Sequence, residues 1–352
     1  MPEALSSSLK HFLDVFLRLL HLLVLDGRDG QLYRIDLCRP LLITDRRGEP
    51  SNSPYSTTWV DTIKYQVVYS FPMIKQGLEY EVVEGWGRLP RGWVFTQVAG
   101  VAVDSKDRVI VLCRGEHPII VFSREGEFIE SWGEGVFMNA HGAYIDAEDS
   151  FYCVDNGDHT VRKFARDGEL VFTLGTKMRP ATPGKPFNKP TDLAQAPNGD
   201  LYVSDGYGNS NIHRFTKNGE LIQSWGEPGS RPGQFNLPHG VWVDSGKVYV
   251  ADRQNNRVQI FSTEGDYISE WSNLLRPCDI YFDTRGRIYI AELTHRVSIL
   301  NKRGEALARL GGIESFAPGQ FVAPHCLWKD SLGALYVGEV LEGQRIQKFV
   351  PA

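Results

Sequence analysis

One pattern recurs six times between residue 98 and the C-terminus, and nothing else in the chain restricts its fold as tightly. The copies begin at Val98, Ala140, Pro190, Pro238, Pro277 and Pro324. Each holds a short apolar strand, a polar turn, a Tyr- or Val-rich strand, a third strand ending in Phe or Leu, and a Gly turn. PTDLAQAPNGDLYVSDGYGNSNIHRFTKNGELIQSWG, from Pro190, shows all of these parts. Alternation within each run and frequent turn residues are the marks of antiparallel β-structure. A unit of roughly 40–50 residues with about four strands cannot bury both faces of its own small sheet. The copies must therefore pack side by side around an axis, and the expected fold is all-β, a six-bladed β-propeller.

The sixth copy stops at Ala352 without its outermost strand. Leu78 to Trp86 (LEYEVVEGW) reads as the missing strand, and Trp86-Gly87 at its end repeats the Trp-Gly that closes the first and third copies. The expected propeller domain thus spans 76–352, closed by an N-terminal strand that leaves no free sheet edge at the seam. The 1–75 extension reads less clearly. Its apolar run, Phe12 to Leu25, is broken by Asp14, Arg18 and His21 and is shorter than the roughly 20 residues of a membrane span. It is consistent with one amphipathic helix over Leu9–Leu25 or with a poorly structured leader, and no clean signal peptide is visible. The repeat resembles that of the NHL-repeat propellers.

Function has to be sought in a site, because propellers host unrelated activities. Aligned at the start of the first strand, the six copies carry Ala99, His141, Thr191, His239, Cys278 and His325. Histidine fills the second, fourth and sixth positions. In a six-fold ring those positions lie about 120° apart around the channel, and the innermost strands face the axis. Three imidazoles would converge there, a donor set that suits zinc with a fourth position open. The remaining histidines form no such set.

Charge and cysteine content narrow the partners. Lys+Arg of 38 against Asp+Glu of 43 gives a net charge of -5, so nucleic acid is not expected as a partner. The five cysteines are scattered, with no CxxC pair, and read as reduced thiols. A cytoplasmic monomer with no membrane span is the expectation.

Around the three histidines the chain resembles the peptidyl-α-hydroxyglycine α-amidating lyase (peptidylamidoglycolate lyase) family over approximately residues 80–350. The resemblance is carried by QVAGVAVDSKDRVIVLCRGEH (Gln97 to His117), FNKPTDLAQAPNGDLYVSDGYGNS (Phe187 to Ser210), RPGQFNLPHG (Arg231 to Gly240) and VADRQNNRVQIF (Val250 to Phe261). It implies a Zn2+ held by His141, His239 and His325, a channel tyrosine at Tyr207, and two substrate-facing arginines at Arg114 and Arg253. It also implies a reaction, cleavage of the N–C bond of a C-terminal α-hydroxyglycine to give an amide and glyoxylate. The expected substrate is a small molecule or peptide ending in an α-hydroxy-amide. A phenol beside a cation suits a base, and guanidinium forks suit the carboxylate of a glyoxylate leaving group. Tyr207 otherwise reads as a blade-edge aromatic, and the arginines as ion-pair partners of Glu116 or Asp252. One motif departs from the family: Ala323-Pro324-His325-Cys326 stands where Met-Pro-His-Asp is expected. The Asp would bind a structural Ca2+, so Cys326 leaves either a weaker site of backbone carbonyls or none. Two other readings stay open, a metal-dependent hydrolase or hydratase on the same scaffold and a non-catalytic propeller that serves as a protein-interaction platform.

Overall fold

The structure, a computed structural model, describes residues 22–25, 32–35 and 78–352. The chain falls into two units, Met1–Tyr69 and Ser70–Ala352. In the first, Leu22–Leu25 pairs antiparallel with Leu32–Ile35. This corrects the C-terminal end of the helix expected over Leu9–Leu25; the rest of that segment lies outside the described residues. The sequence between the two runs holds Asp26, Gly27, Asp29 and Gly30, all turn formers, and Val, Tyr and Ile within the runs favour strands.

The second unit is a six-bladed propeller of four-stranded antiparallel sheets. The inner strands of blades one to six are Val98–Val103, Ala140–Ile145, Asp192–Gln195, Pro238–Asp244, Pro277–Phe282 and Pro324–Lys329. Blade six takes its outermost strand from the other end of the unit: Tyr80–Val83 pairs with Ile346–Pro351 in the register Tyr80↔Pro351 to Val83↔Lys348. Helix is nearly absent among the described residues, with one 3-10 turn at Arg253–Asn255.

Repeated polar devices fix how each blade presents its inner strand. Below the strand, an aspartate ties the hairpin to the second strand. Asp104 Oδ1 accepts from the Lys106 and Arg108 N–H groups, and Asp146 Oδ1 from those of Glu148 and Ser150. Above it, a buried carboxylate at the end of the second strand grips the segment that leads into the inner strand. Asp155 accepts the N–H groups of Met138 and Asn139 (2.8 and 3.0 Å), Asp252 that of Asn236 (2.7 Å), and Glu339 those of Val322 and Ala323 (2.6 and 3.2 Å). Each carboxylate is in turn paired with an arginine, Arg162, Arg257 or Arg345. The gripped residues stand two or three positions before His141, His239 and His325, so the backbone that carries each histidine is anchored directly upstream of it.

Candidate metal centre

The three histidines begin the inner strands of blades two, four and six, and all three are buried. Their ring centroids are 4.8, 4.7 and 4.7 Å apart, and one ring nitrogen from each lies within 4.8 Å of the others. No other group of three or more His, Cys, Asp or Glu side chains converges in this way among the described residues.

The protonation pattern follows from the backbone. His141 Nδ1 donates to the Thr191 carbonyl (2.6 Å), His239 Nδ1 to the Cys278 carbonyl (2.8 Å), and His325 Nδ1 to the Ala99 carbonyl (2.9 Å). These acceptors occupy, in blades three, five and one, the position that histidine occupies in the even blades. A carbonyl only accepts, so each Nδ1 carries the proton and each Nε2 presents a lone pair. Burial is the main reason all three imidazoles are held well below their ordinary pKa; His325 and Arg114 add to this at His141, Arg253 and His325 at His239, and Arg114 and Arg253 at His325. Three neutral rings whose ligand atoms lie this close together can hold a metal ion. His325 Nε2 is buried without any hydrogen-bond partner, which a structural histidine would not tolerate cheaply and which a metal would satisfy. The donor set fits a divalent transition ion with imidazole preference, such as zinc.

Tyr207 lies over the gap between two of the rings. Its Oη is 3.1 Å from His141 Nε2 and 3.3 Å from His239 Nε2, and the side chain is 37% exposed at the channel mouth. Arg253 Nη1 donates to the same oxygen (3.2 Å), and its guanidinium carbon lies 5.3 Å from the ring centroid. Arg253 is buried, and its Nε has no partner. Arg114 is held by Gln97 Oε1 (2.8 Å) and the Ala140 carbonyl (3.1 Å), and burial lowers its pKa while Tyr207 opposes that shift. The ion pairs with Glu116 or Asp252 do not form; Asp252 pairs with Arg257. Among the described residues both guanidinium groups therefore face the site without a carboxylate, an arrangement suited to an anionic ligand. All six residues singled out in the sequence thus meet in one place.

Two groups in the channel stand outside the residues singled out from sequence. Asp192 and Asp279 follow the odd-blade position by one residue and line the cavity under the imidazoles together with Cys326. Farther down, Tyr144, Trp242 and Trp328 stand three residues after the three histidines, and their rings lie 5.6 to 6.0 Å apart. Tyr281 joins them at 5.1 and 5.2 Å from the two tryptophans. Side chains from alternate blades touch only across the axis, so these rings stopper the channel at the end away from Tyr207. The signal was present in the aligned copies, where the position reads Ala102, Tyr144, Ala194, Trp242, Tyr281 and Trp328. The four described cysteines, Cys113, Cys153, Cys278 and Cys326, are buried free thiols; Cys38 lies outside the described residues.

Comparison with known proteins agrees with the fold and narrows the relatives. The NHL repeat signature matches residues 187–215 and 235–261, within blades three and four. Human NHL repeat-containing protein 3 is 32% identical over 294 residues, covering 77% of this chain and 84% of that protein. Peptidyl-glycine alpha-amidating monooxygenase B of Xenopus laevis is 29% identical over 304 residues, 73% of this chain, and the chain spans about a third (34%) of that protein. A probable peptidyl-alpha-hydroxyglycine alpha-amidating lyase of Caenorhabditis elegans is 40% identical over 156 residues, 42% of this chain and 45% of the lyase. Among solved structures, a gluconolactonase from Xanthomonas campestris superposes with a TM-score of 0.58 at 16% identity, covering 74% of this chain and 87% of that one, which speaks to fold alone. No helix among the described residues is long and apolar enough to cross a membrane.

Proposed function

The chain belongs to the NHL-repeat family that includes NHL repeat-containing protein 3, and we propose that within it the protein is a metal-dependent carbon–nitrogen lyase. The substrate is a small molecule or peptide ending in an α-hydroxyglycine-type carbinolamide, and the products are an amide and glyoxylate. The observation that carries this reading is the placement of Tyr207 Oη between two imidazole Nε2 atoms and beside two arginines that have no acidic partner. Similarity to the nematode amidating lyase supports it independently.

In this mechanism His141, His239 and His325 would hold the ion through Nε2. A zinc ion there would supply Lewis acidity that makes a substrate hydroxyl easier to deprotonate. Arg253 and Arg114 grip the substrate carboxylate and so set the α-carbon beside Tyr207 Oη and the three imidazoles. Tyr207 Oη takes the hydroxyl proton. The electron pair of that O–H bond becomes the carbonyl of glyoxylate, the C–N bond breaks, and the nitrogen keeps the pair and gains a proton, which Tyr207 is placed to return. The aromatic stopper leaves one mouth, so both products depart past Tyr207.

A second reading has a specific observation in its favour: the relative matched over most of its length carries a name that describes a repeat and no reaction. In that case the propeller is a binding platform. Metal analysis and glyoxylate release from α-hydroxyhippurate separate the two. The lyase reading expects about one zinc per chain, lost in His239→Ala with the fold retained. It also expects glyoxylate release that falls about 10²–10⁴-fold in kcat for Tyr207→Phe at unchanged zinc content. Zinc that does not bind the wild type, or turnover indifferent to Tyr207, overturns it.

A further inference from the structure

Blade three carries a buried feature that its odd-numbered counterparts lack. Thr191 and Ser204 are fully buried, and their hydroxyls are 2.8 Å apart. The corresponding pairs in blades one and five are Ala99 with Leu112 and Cys278 with Ala291, none of which has a hydroxyl. Those blades pack against their neighbours without one, so blade adhesion alone does not call for the pair.

What the pair touches is the metal centre from behind. Thr191 Oγ1 reaches the Pro238 carbonyl at 3.0 Å, and Ser204 Oγ donates to the His239 carbonyl at 3.0 Å. These are the two peptide oxygens that flank His239 along the chain. The backbone carbonyl of Thr191 itself is the acceptor that orients His141. The same Pro238 carbonyl is the floor on which the Tyr207 loop rests: a Cβ added to Gly206 would lie 2.0 Å from it. The hydroxyl pair thus holds both carbonyls that flank His239, shares the Pro238 carbonyl with the loop of Tyr207, and fixes the residue whose own backbone carbonyl orients His141.

We propose that Thr191 and Ser204 are positioning residues that set the His141–His239 gap and the seat of Tyr207 within it, and thereby the affinity of the centre for its metal. His325, oriented by Ala99 on the far side of the channel, lies outside this unit. The proposal rests on the reading of the three histidines as a metal site, and it makes a prediction in the metal-free protein as well.

The experiment is a zinc competition titration of the full chain against a chromophoric chelator, for wild type, Thr191→Val, Thr191→Ser and Ser204→Ala. NMR of the imidazole Nδ1–H protons in the metal-free proteins runs alongside. Thr191→Val and Ser204→Ala are expected to weaken zinc binding about 10–100-fold, the range for residues that orient metal ligands, with Thr191→Ser restoring it. In the metal-free state the His141 and His239 Nδ1–H resonances shift and that of His325 stays. If Thr191→Val fails to fold, Ser204→Ala decides alone. Zinc affinity within about twofold of wild type in the folded variants, or equal movement of all three resonances, overturns the proposal. A wild type that takes up no zinc overturns the metal reading instead, and the resonances still decide whether the hydroxyl pair orients the two rings.

Discussion

Asp192 and Asp279 show how far a single side chain in this channel departs from its ordinary chemistry. Asp192 Oδ2 accepts from the Val241 N–H, and Asp279 Oδ2 from the Leu327 N–H, so each carboxylate stitches an odd blade to the next even one. Enclosure away from bulk water raises both acids, and Asp279 adds to the effect at Asp192; Asp279 is pushed up to about 7. An acid whose folded pKa is raised favours the folded state while it is protonated and ceases to do so once it ionises. The contribution is therefore present at low pH and is lost as the pH climbs towards and through about 7. For the metal-free protein we expect Asp279→Asn to gain in melting temperature relative to wild type as the buffer is moved from acid to alkaline. A constant difference across that range would show that Asp279 ionises as freely as in water. None of this was legible in the sequence, where the two aspartates pass as ordinary strand-start polar residues. The histidines are legible because identical residues at alternate repeats leave a periodic signal; the part of Thr191 is not, because it depends on Ser204, thirteen residues away and on another strand.

The element that controls access is the inner strand, which carries a histidine at its start and an aromatic ring three residues on in blades two, four and six. The fourth ring, Tyr281, comes from the inner strand of blade five. Tyr144, Trp242, Tyr281 and Trp328 meet at the end opposite Tyr207, with ring centroids 5.1–6.0 Å apart. Truncating one ring removes a side chain that reaches across the axis, where few neighbours can move in to fill the space. Zinc-loaded Trp242→Ala is therefore expected to surrender its ion to a chelator several-fold faster than wild type, through a second opening, while Tyr207→Phe leaves that route unchanged. Equal release rates in Trp242→Ala and wild type would mean that the stopper does not limit access. At this scale the sequence was read most fully: strand order, blade number and the strand from the other end of the unit all follow from the repeat. The strand Leu22–Leu25 is ambiguous in sequence because its apolar spacing suits a helix as well as a strand, and only the turn formers after it favour the hairpin.

For the molecule as a whole, the decisive contact is the seam. A ring of blades is stable only if the last is joined to the first, and here the join is both a strand and a side chain. Tyr80–Val83 completes the sheet of blade six, and Trp86, three residues later, is buried between blades. Its ring lies 5.4 Å from that of Phe122 in blade one and 5.0 Å from that of Tyr336 in blade six, and its Nε1 donates to the Arg124 carbonyl at 2.9 Å. Gly126, at φ +88°, leaves room for it, since a Cβ there would sit 2.9 Å from the indole. Trp86→Ala removes a contact shared by the first and last blades together with its hydrogen bond. The expected cost is about 3–5 kcal/mol, the range for a buried Phe or Trp. For a domain of this size that corresponds to a fall of roughly 10 °C in melting temperature. The argument also fixes where truncation becomes harmful: removing residues 1–69 leaves the closing strand and Trp86 in place, whereas removing 1–86 takes both away. Thermal unfolding of the two truncations should give one cooperative transition for the first and a lower, broader one for the second. Matching transitions would mean that the seam contributes little and that the six sheets hold together through their inner strands alone.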